Sequence, residues 1–364
     1  MILTLDQCRR RYLAGFAASG LFLAACGGGG SDSALSNLTA LATTSIWADV
    51  TSNALCGAPV ESIIPLGADP HSWEPSIRVP EDIAAADLLV RNGLFLEEGL
   101  LATLDAVDES VTPVVSIATL IASGEEDDHV DHDDHDDEAD HADHDDEADH
   151  DDHDDHADHD DEADHDDHDD HADHDDEADH DDHDDHHHSG PDPHLWMDPT
   201  FVAEAATLIA DAAVEAGWPE SVKDCAADYS GQLAALDEEI ASQVSVVDAG
   251  DRVLVTNHDA FGRFAERYGF TVLGTILPSM STLAEANPAD LTALAEEILA
   301  AGVSTIFYDL QSSSVDAESL AERLDGVEVA ALLTGSLVED PEVGADYITM
   351  MQTNVQRILS AIGG

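Results

Sequence analysis

Lysine is almost absent from this chain: Lys223 stands alone among 364 residues, and all bases together number 11 against 81 acidic residues. The resulting formal charge of −70 excludes nucleic acid as a partner, because neutralising phosphates takes clusters of Lys and Arg. Aromatic residues are scarce at 5%, but an apolar content of 43% is ample for packed cores, and the length suffices for two domains of ordinary size. The apolar run from Tyr12 to Ala25 is too short to span a bilayer as a permanent helix and has the length of a signal-peptide core. His-Glu-x-x-His and any obvious nucleophile elbow are both missing, which counts against a zinc hydrolase. Cysteine is limited to Cys8, Cys26, Cys56 and Cys225.

What is present at the N-terminus sets the compartment. Arg9, Arg10 and Arg11 precede the apolar run, which ends in Leu23-Ala24-Ala25-Cys26, similar to the lipobox at which lipoproteins are cleaved and the new N-terminal cysteine acylated. Residues 1–25 are therefore expected to be a lipoprotein signal peptide and 26–36, rich in glycine, a tether that holds the protein by lipidated Cys26 to the outer face of the cytoplasmic membrane. Arg9-Arg10-Arg11-Tyr12-Leu13 also resembles a twin-arginine export signal, with Cys8 where Ser or Thr is usual, so Sec export stays open. Once Cys26 is lipidated, Cys56 and Cys225 remain as the pair available for a disulfide outside the cytoplasm, the alternative being two separate buried thiols.

Residues 125–188 hold 38 of the acidic residues, 18 of the 21 histidines and no base. A 15-residue unit beginning at His141 recurs without change at His156 and His171. With almost nothing apolar and strong like-charge repulsion, this insert cannot offset its ordering entropy and is predicted to be disordered. Interleaved imidazoles and carboxylates offer many weak sites for divalent metal ions; a plain acidic spacer would explain the Asp but not the His. Outside the insert 43 acidic residues still face 11 bases, a net charge of −32 and a composition of salt-adapted type.

Three histidines remain: His71, His194 and His258. His71 follows a strand-like run from Val60 to Leu66, His194 precedes an Ala-rich helical stretch beginning near Thr200, and His258 lies between strand-like Arg252–Thr256 and a helix start near Ala260. All three fall in loops, and in open α/β sheets ligand sites collect in the loops at the carboxyl ends of strands. A lone histidine of this kind is usually a hydrogen-bonded structural residue. Three isolated ones beside a metal-attracting insert point to shared ligation, since three neutral imidazoles and an open position are an accepted zinc arrangement. Asp69, Asp198 and Asp259, near the three rings, are the expected carboxylates that orient them, with loop or cap roles as the alternative.

Gly67-Ala68-Asp69-Pro70-His71-Ser72-Trp73-Glu74-Pro75, then Pro193-His194-Leu195-Trp196-Met197-Asp198-Pro199, then Asn257-His258-Asp259-Ala260-Phe261, in that order, resemble the zinc/manganese class (cluster A-I) of ABC-importer solute-binding proteins. The resemblance continues through Arg267–Phe270, Asn287–Leu291 and Tyr347–Asn354 and spans about 37–364. It implies an α/β fold, two Rossmann-like α/β lobes joined by a long rigid connecting helix, and a protein that is not an enzyme. The lobes would be 37–124 with 189–224, and 251–364, with the helix in 225–250, where Leu233, Leu236, Ile240 and Val244 share one face. His71, His194 and His258 match the family's imidazole ligands; a fourth position, Asp in manganese-type members, falls at Gly335, which has no side chain to offer. That leaves the fourth place to water, a loop histidine or another carboxylate, and favours Zn²⁺ over the alternative cargo Mn²⁺, which prefers oxygen ligands. The implied partners are an ABC permease and its ATPase, the membrane through the lipid anchor, and divalent metal ions, for a protein acting as a monomer. A manganese-specific protein, or a surface adhesin or metal buffer of the same fold, is the alternative reading. Three His plus water would also serve a zinc hydrolase.

Overall fold

The computed structural model describes residues 38–121 and 191–363. The leader, Cys26 and the 125–188 insert lie outside the described residues. The first lobe opens with β1 (Ala40–Ala42), α1 (Ser45–Ala54), β2 (Val60–Ser62), α2 (Val79–Ala84), β3 (Leu88–Arg91), the short α3 (Leu101–Leu104) and β4 (Val114–Ser116). These strands form one parallel sheet in the order β2-β1-β3-β4. Its central strands β1 and β3 are apolar and largely buried, as expected of a parallel sheet covered on both faces. The run after β2 is extended further than the strand itself: Ile63 and Ile64 still donate to Ala42 and Thr43 carbonyls, and pairing stops at Pro65, which has no N–H to give. The chain then enters the loop that carries His71.

After the insert, α4 (Pro199–Glu215) begins at an Asp198 cap that accepts from Thr200 N at 2.8 Å, with proline in its first turn. The connecting helix α5 (Val222–Val244) begins three residues ahead of the expected 225–250 span, because Val222 and Ala226 extend the buried stripe that continues through Tyr229, Leu233, Leu236, Ile240 and Val244. It ends where Val246, 82% exposed, no longer gains from burial. Helix α5 packs on α4, α1 and α9 (Tyr347–Ile362) and so touches both lobes.

The second lobe comprises β5 (Val253–Thr256), α6 (Gly262–Tyr268), β6 (Thr271–Thr275), α7 (Pro288–Ala301), β7 (Thr305–Asp309), α8 (Val315–Ala321), β8 (Glu328–Leu332) and α9. Its strands pair as two parallel ladders, β5–β6 and β7–β8, with β5 lying against β7. The caps fix the boundaries. Asn287 accepts from Ala289 N ahead of Pro288, Gly302 closes α7 in the left-handed conformation, and Asp346 accepts from Thr349 N to start α9. One apolar core runs through both lobes and the connecting helix, while smaller clusters fill each lobe separately. No helix among the described residues is long and apolar enough to cross a membrane.

A disulfide joins Cys56, just past α1, to Cys225 in the first turn of α5. It closes 169 residues of sequence, with the self-repelling insert inside the loop. Chain entropy for a closure of that length gives about 5 kcal/mol of stabilisation. Urea unfolding of the Cys56→Ser, Cys225→Ser double variant should show most of that loss as a lower midpoint; an unchanged midpoint, or two free thiols by non-reducing mass spectrometry of the exported protein, would contradict the bond's role.

Candidate metal centre

Every loop that builds the site leaves the carboxyl end of a strand or enters the start of a helix. His71 sits in the loop after β2, His258 in the loop after β5, and His194 heads a 3-10 turn, Leu195–Met197, before α4. Two of the three share a local device. In Asp69-Pro70-His71 and in Asp192-Pro193-His194 the Asp Oδ1 accepts the histidine's backbone N–H, at 3.0 and 2.9 Å, which fixes the turn that points each ring inward.

The rings converge. His71 Nε2 lies 3.3 Å from His194 Nε2, and His258 Nε2 lies 3.4 Å from the same atom. One ligand atom from each of the three falls within 4.8 Å of the others, and the residues are only 1–3% exposed. The cavity between them, lined also by Asp69, Thr282, Asp309 and Gly335, measures about 10 Å³, room for one ion or water and for no organic ligand.

Carboxylates on the far side of two of the rings choose their tautomers. His194 Nδ1 is 2.9 Å from Asp192 Oδ1, and His258 Nδ1 is 2.6 Å from Asp309 Oδ2. A carboxylate accepts, so the proton of each neutral ring belongs on Nδ1 and the lone pair on Nε2, aimed into the cavity. Glu98 Oε1 stands 3.5 Å from His71 Nδ1, too far for a hydrogen bond. The orienting carboxylates are therefore Asp192, Asp309 and, at longer range, Glu98, which corrects the expectation for Asp69, Asp198 and Asp259. Asp69 caps His71 and bonds Ser72 and Thr282, Asp198 caps α4, and His258 turns toward β7 and not toward Asp259, whose backbone N–H binds Ser279 O.

Burial, with the fields of His194 and His258, pushes the His71 pKa down to about 2, so this ring stays neutral and ready to coordinate. For His258 burial also opposes the charge, but Asp309, Asp69 and Asp259 outweigh it and hold its pKa above the ordinary 6.5. Burial likewise pushes Asp192 upward, yet the His194 contacts and the Arg263 charge keep it low.

Gly335 lines the cavity as the sequence placed it, and it lies so close to Pro70 that an added Cβ would meet Pro70 Cδ at 2.7 Å. Cys56, just past α1, and Cys225, on α5, are not among the residues of this centre, and Cys26 lies outside the described residues. A second device escaped the sequence reading. Buried Glu97 accepts Thr43 Oγ1 at 2.6 Å, Asn92 N at 2.7 Å and Gly93 N at 3.2 Å, clamping a turn in which Gly93, Leu94 and Phe95 all have positive φ. Two consecutive non-glycine residues in that region cost about 1–3 kcal/mol each, and the turn they make delivers Glu98 to His71.

Residues 41–361 match the family profile described as zinc-uptake complex component A, periplasmic. The zinc-binding lipoprotein AdcA of Streptococcus pneumoniae is 25% identical over 83% of this chain, which spans about half (51%) of that relative's length. The manganese ABC transporter substrate-binding lipoprotein PsaA of Streptococcus mitis is 23% identical over 94% of this chain and 95% of its own. Among solved structures, the periplasmic zinc-binding protein TroA of Treponema pallidum superposes with a TM-score of 0.68 at 21% identity, covering 90% of this chain and 99% of that one. A manganese-bound periplasmic metal-binding protein of Candidatus Liberibacter asiaticus gives 0.63 at 18% identity, covering 89% and 99%. At these identities the structural likeness concerns the fold.

To coordinate a metal His258 would have to shed a proton, so metal affinity at this centre should fall as pH is lowered, with the loss beginning above pH 6.5. Asp309→Asn should weaken metal binding by roughly 10–100-fold and move that loss to lower pH, since the carboxylate that raises His258 is gone. Chelator-competition titrations between about pH 8 and about pH 5 read both effects; a pH-independent affinity, or a variant indistinguishable from the parent, would refute the assignment.

Proposed function

We propose that this chain, which belongs to the family of the periplasmic component A of zinc-uptake complexes, captures one Zn²⁺ between His71, His194 and His258 and delivers it to an ABC permease driven by its ATPase. Members of this family are binding components of ABC uptake systems and not enzymes, which removes the hydrolase alternative. The observation that carries the choice of metal is the spacing of the ring nitrogens. Two imidazole nitrogens on a tetrahedral zinc at 2.0–2.1 Å stand roughly 3.3–3.4 Å apart, and the spacings here are 3.3 and 3.4 Å.

Chemistry supports the same choice. The three converging donors are imidazole nitrogens, which suit zinc, and Gly335 supplies no side-chain oxygen where a harder ion would want one. The fourth place is then left to water or an incoming group, as in other three-histidine zinc sites. Relatives named for zinc and for manganese both match this chain, so the ligand set and not the likeness supports the preference. Anchoring by lipidated Cys26 would keep the protein beside the permease, and the histidines of the 125–188 insert would add weaker sites that raise the local supply.

Competitive titration of the full chain should find one tight zinc, held well above manganese, over a background of weak ions on the insert. His71→Ala, His194→Ala and His258→Ala should each weaken the tight ion by more than the roughly 100-fold that loss of a supporting hydrogen bond causes. A tight site that prefers manganese would overturn the choice of metal; three variants that keep tight zinc would overturn the site.

A further inference from the structure

With all three histidines 1–3% exposed, an ion held by all three rings would be almost wholly enclosed, and loading or release is easiest if some wall of the cavity moves. Most of the walls are held by packing. Trp196 is buried edge-on to His194 and donates from Nε1 to Thr334 O at 2.7 Å. Gly335 is pressed on Pro70, and Asp309, 4% exposed, backs His258.

Gln311 and Ser312 close the second lobe's side, held within that lobe by bonds to Ser336 O and Asp309 O, and the wall that joins the two lobes is of a different kind. Asp69 from the first lobe and Thr282 from the second line the cavity and meet through one hydroxyl–carboxylate hydrogen bond of 2.5 Å, both residues half-buried. Beside it Ser281 donates to Glu98, again from one lobe to the other. At its other end the same segment is tied to the third histidine's loop, Asp259 N donating to Ser279 O at 3.0 Å. Residues 279–282 thus strap the loop of His258 to the loop of His71 through polar contacts at half-exposed positions. Water competes for such bonds, which makes this the wall that opens at least cost.

We infer that the 279–282 strap is the gate of the metal cavity, opened by exchange of the Ser281–Glu98 and Thr282–Asp69 bonds for water, and that Glu98 ties the gate to the ion. The inference rests on the metal-site reading above. Glu98, 32% exposed, is the carboxylate beside His71 Nδ1, a buried atom with no hydrogen-bond partner among the described residues. A cation on Nε2 makes the Nδ1–H a stronger donor, and the acceptor within reach already holds Ser281. A carboxylate has lone pairs for both. Loading therefore draws Glu98, and the strap with it, toward His71 and shuts the gate, whereas an empty ring exerts no such pull. Glu98 is a positioning residue in this scheme, acting through His71.

Stopped-flow transfer of zinc from the full chain to excess chromophoric chelator reads release of the tightly held ion, and Co²⁺ absorption reads the ligand set. Ser281→Ala with Thr282→Val removes both hydroxyls and keeps the bulk of the strap. It should release zinc at least about tenfold faster, as loss of two modest hydrogen bonds implies, with an unaltered Co²⁺ spectrum. Thr282→Ser, which restores a hydroxyl, should return release toward the parent rate. Glu98→Ala should match the double variant, and Glu98→Gln, which keeps an acceptor for both partners, should fall between. An unchanged release rate in the double variant puts the moving wall elsewhere and overturns the gate, as does acceleration seen only with a changed Co²⁺ spectrum. No slowly released ion and no Co²⁺ bands in the parent chain would instead remove the metal-site reading itself.

Discussion

The Nε2 atoms of three buried imidazoles crowd together, with His194 Nε2 3.3 and 3.4 Å from the other two, and no neutral arrangement of the rings gives all three a partner. Asp192 and Asp309 accept hydrogen bonds from the Nδ1–H groups of His194 and His258, so neither ring, while neutral, can turn a donor inward without abandoning a carboxylate in a dry environment. Burial denies His71 a second proton, so its one N–H can serve at most one neighbour. A single shared cation would resolve the conflict, and the rest of the molecule keeps the three rings together.

The arrangement depends on loops that a rigid frame holds. The parallel sheet of the first lobe sends out the His71 loop and the clamped turn at Glu97, while the ladders of the second send out the His258 loop and end at Asp309. His194 and Trp196 sit between the two, Trp196 reaching Thr334 and receiving the Tyr347 hydroxyl on its carbonyl. Helix α5, fastened to α1 by the disulfide and to α6 by the Arg267–Asp237 pair, sets how far the lobes can part. A centre that admits its ion by moving a short strap needs no large excursion of this frame.

Much of this was legible in the sequence. The three histidines stand out because the insert takes all the others, and the helices announce themselves by apolar spacing and by caps such as Asn287 and Asp346. The partners of the rings were harder. Asp309 lies 51 residues from His258, and nothing local marks it beyond its place at the end of a strand-like run. Asp192 was within reach, since Asp-Pro-His occurs at both 69–71 and 192–194, but the same tripeptide serves differently in each: one Asp bonds its own histidine ring, the other turns to the strap. Which role a carboxylate takes is decided by what the opposite lobe brings to it, and periodicity does not carry that information. The positive-φ turn at Leu94 and Phe95 was hidden for the same reason, because neither residue favours it and only the buried Glu97 holds it.

X-ray absorption at the zinc edge of the full chain, loaded with less than one equivalent so that the tightest site fills first, tests the central claim most directly. The account predicts three imidazole nitrogens and one oxygen at roughly 2.0–2.1 Å in tetrahedral array. A six-coordinate shell of oxygens, or one in which a single imidazole accompanies carboxylates, would place the tightest ion outside the three-histidine cavity and contradict it.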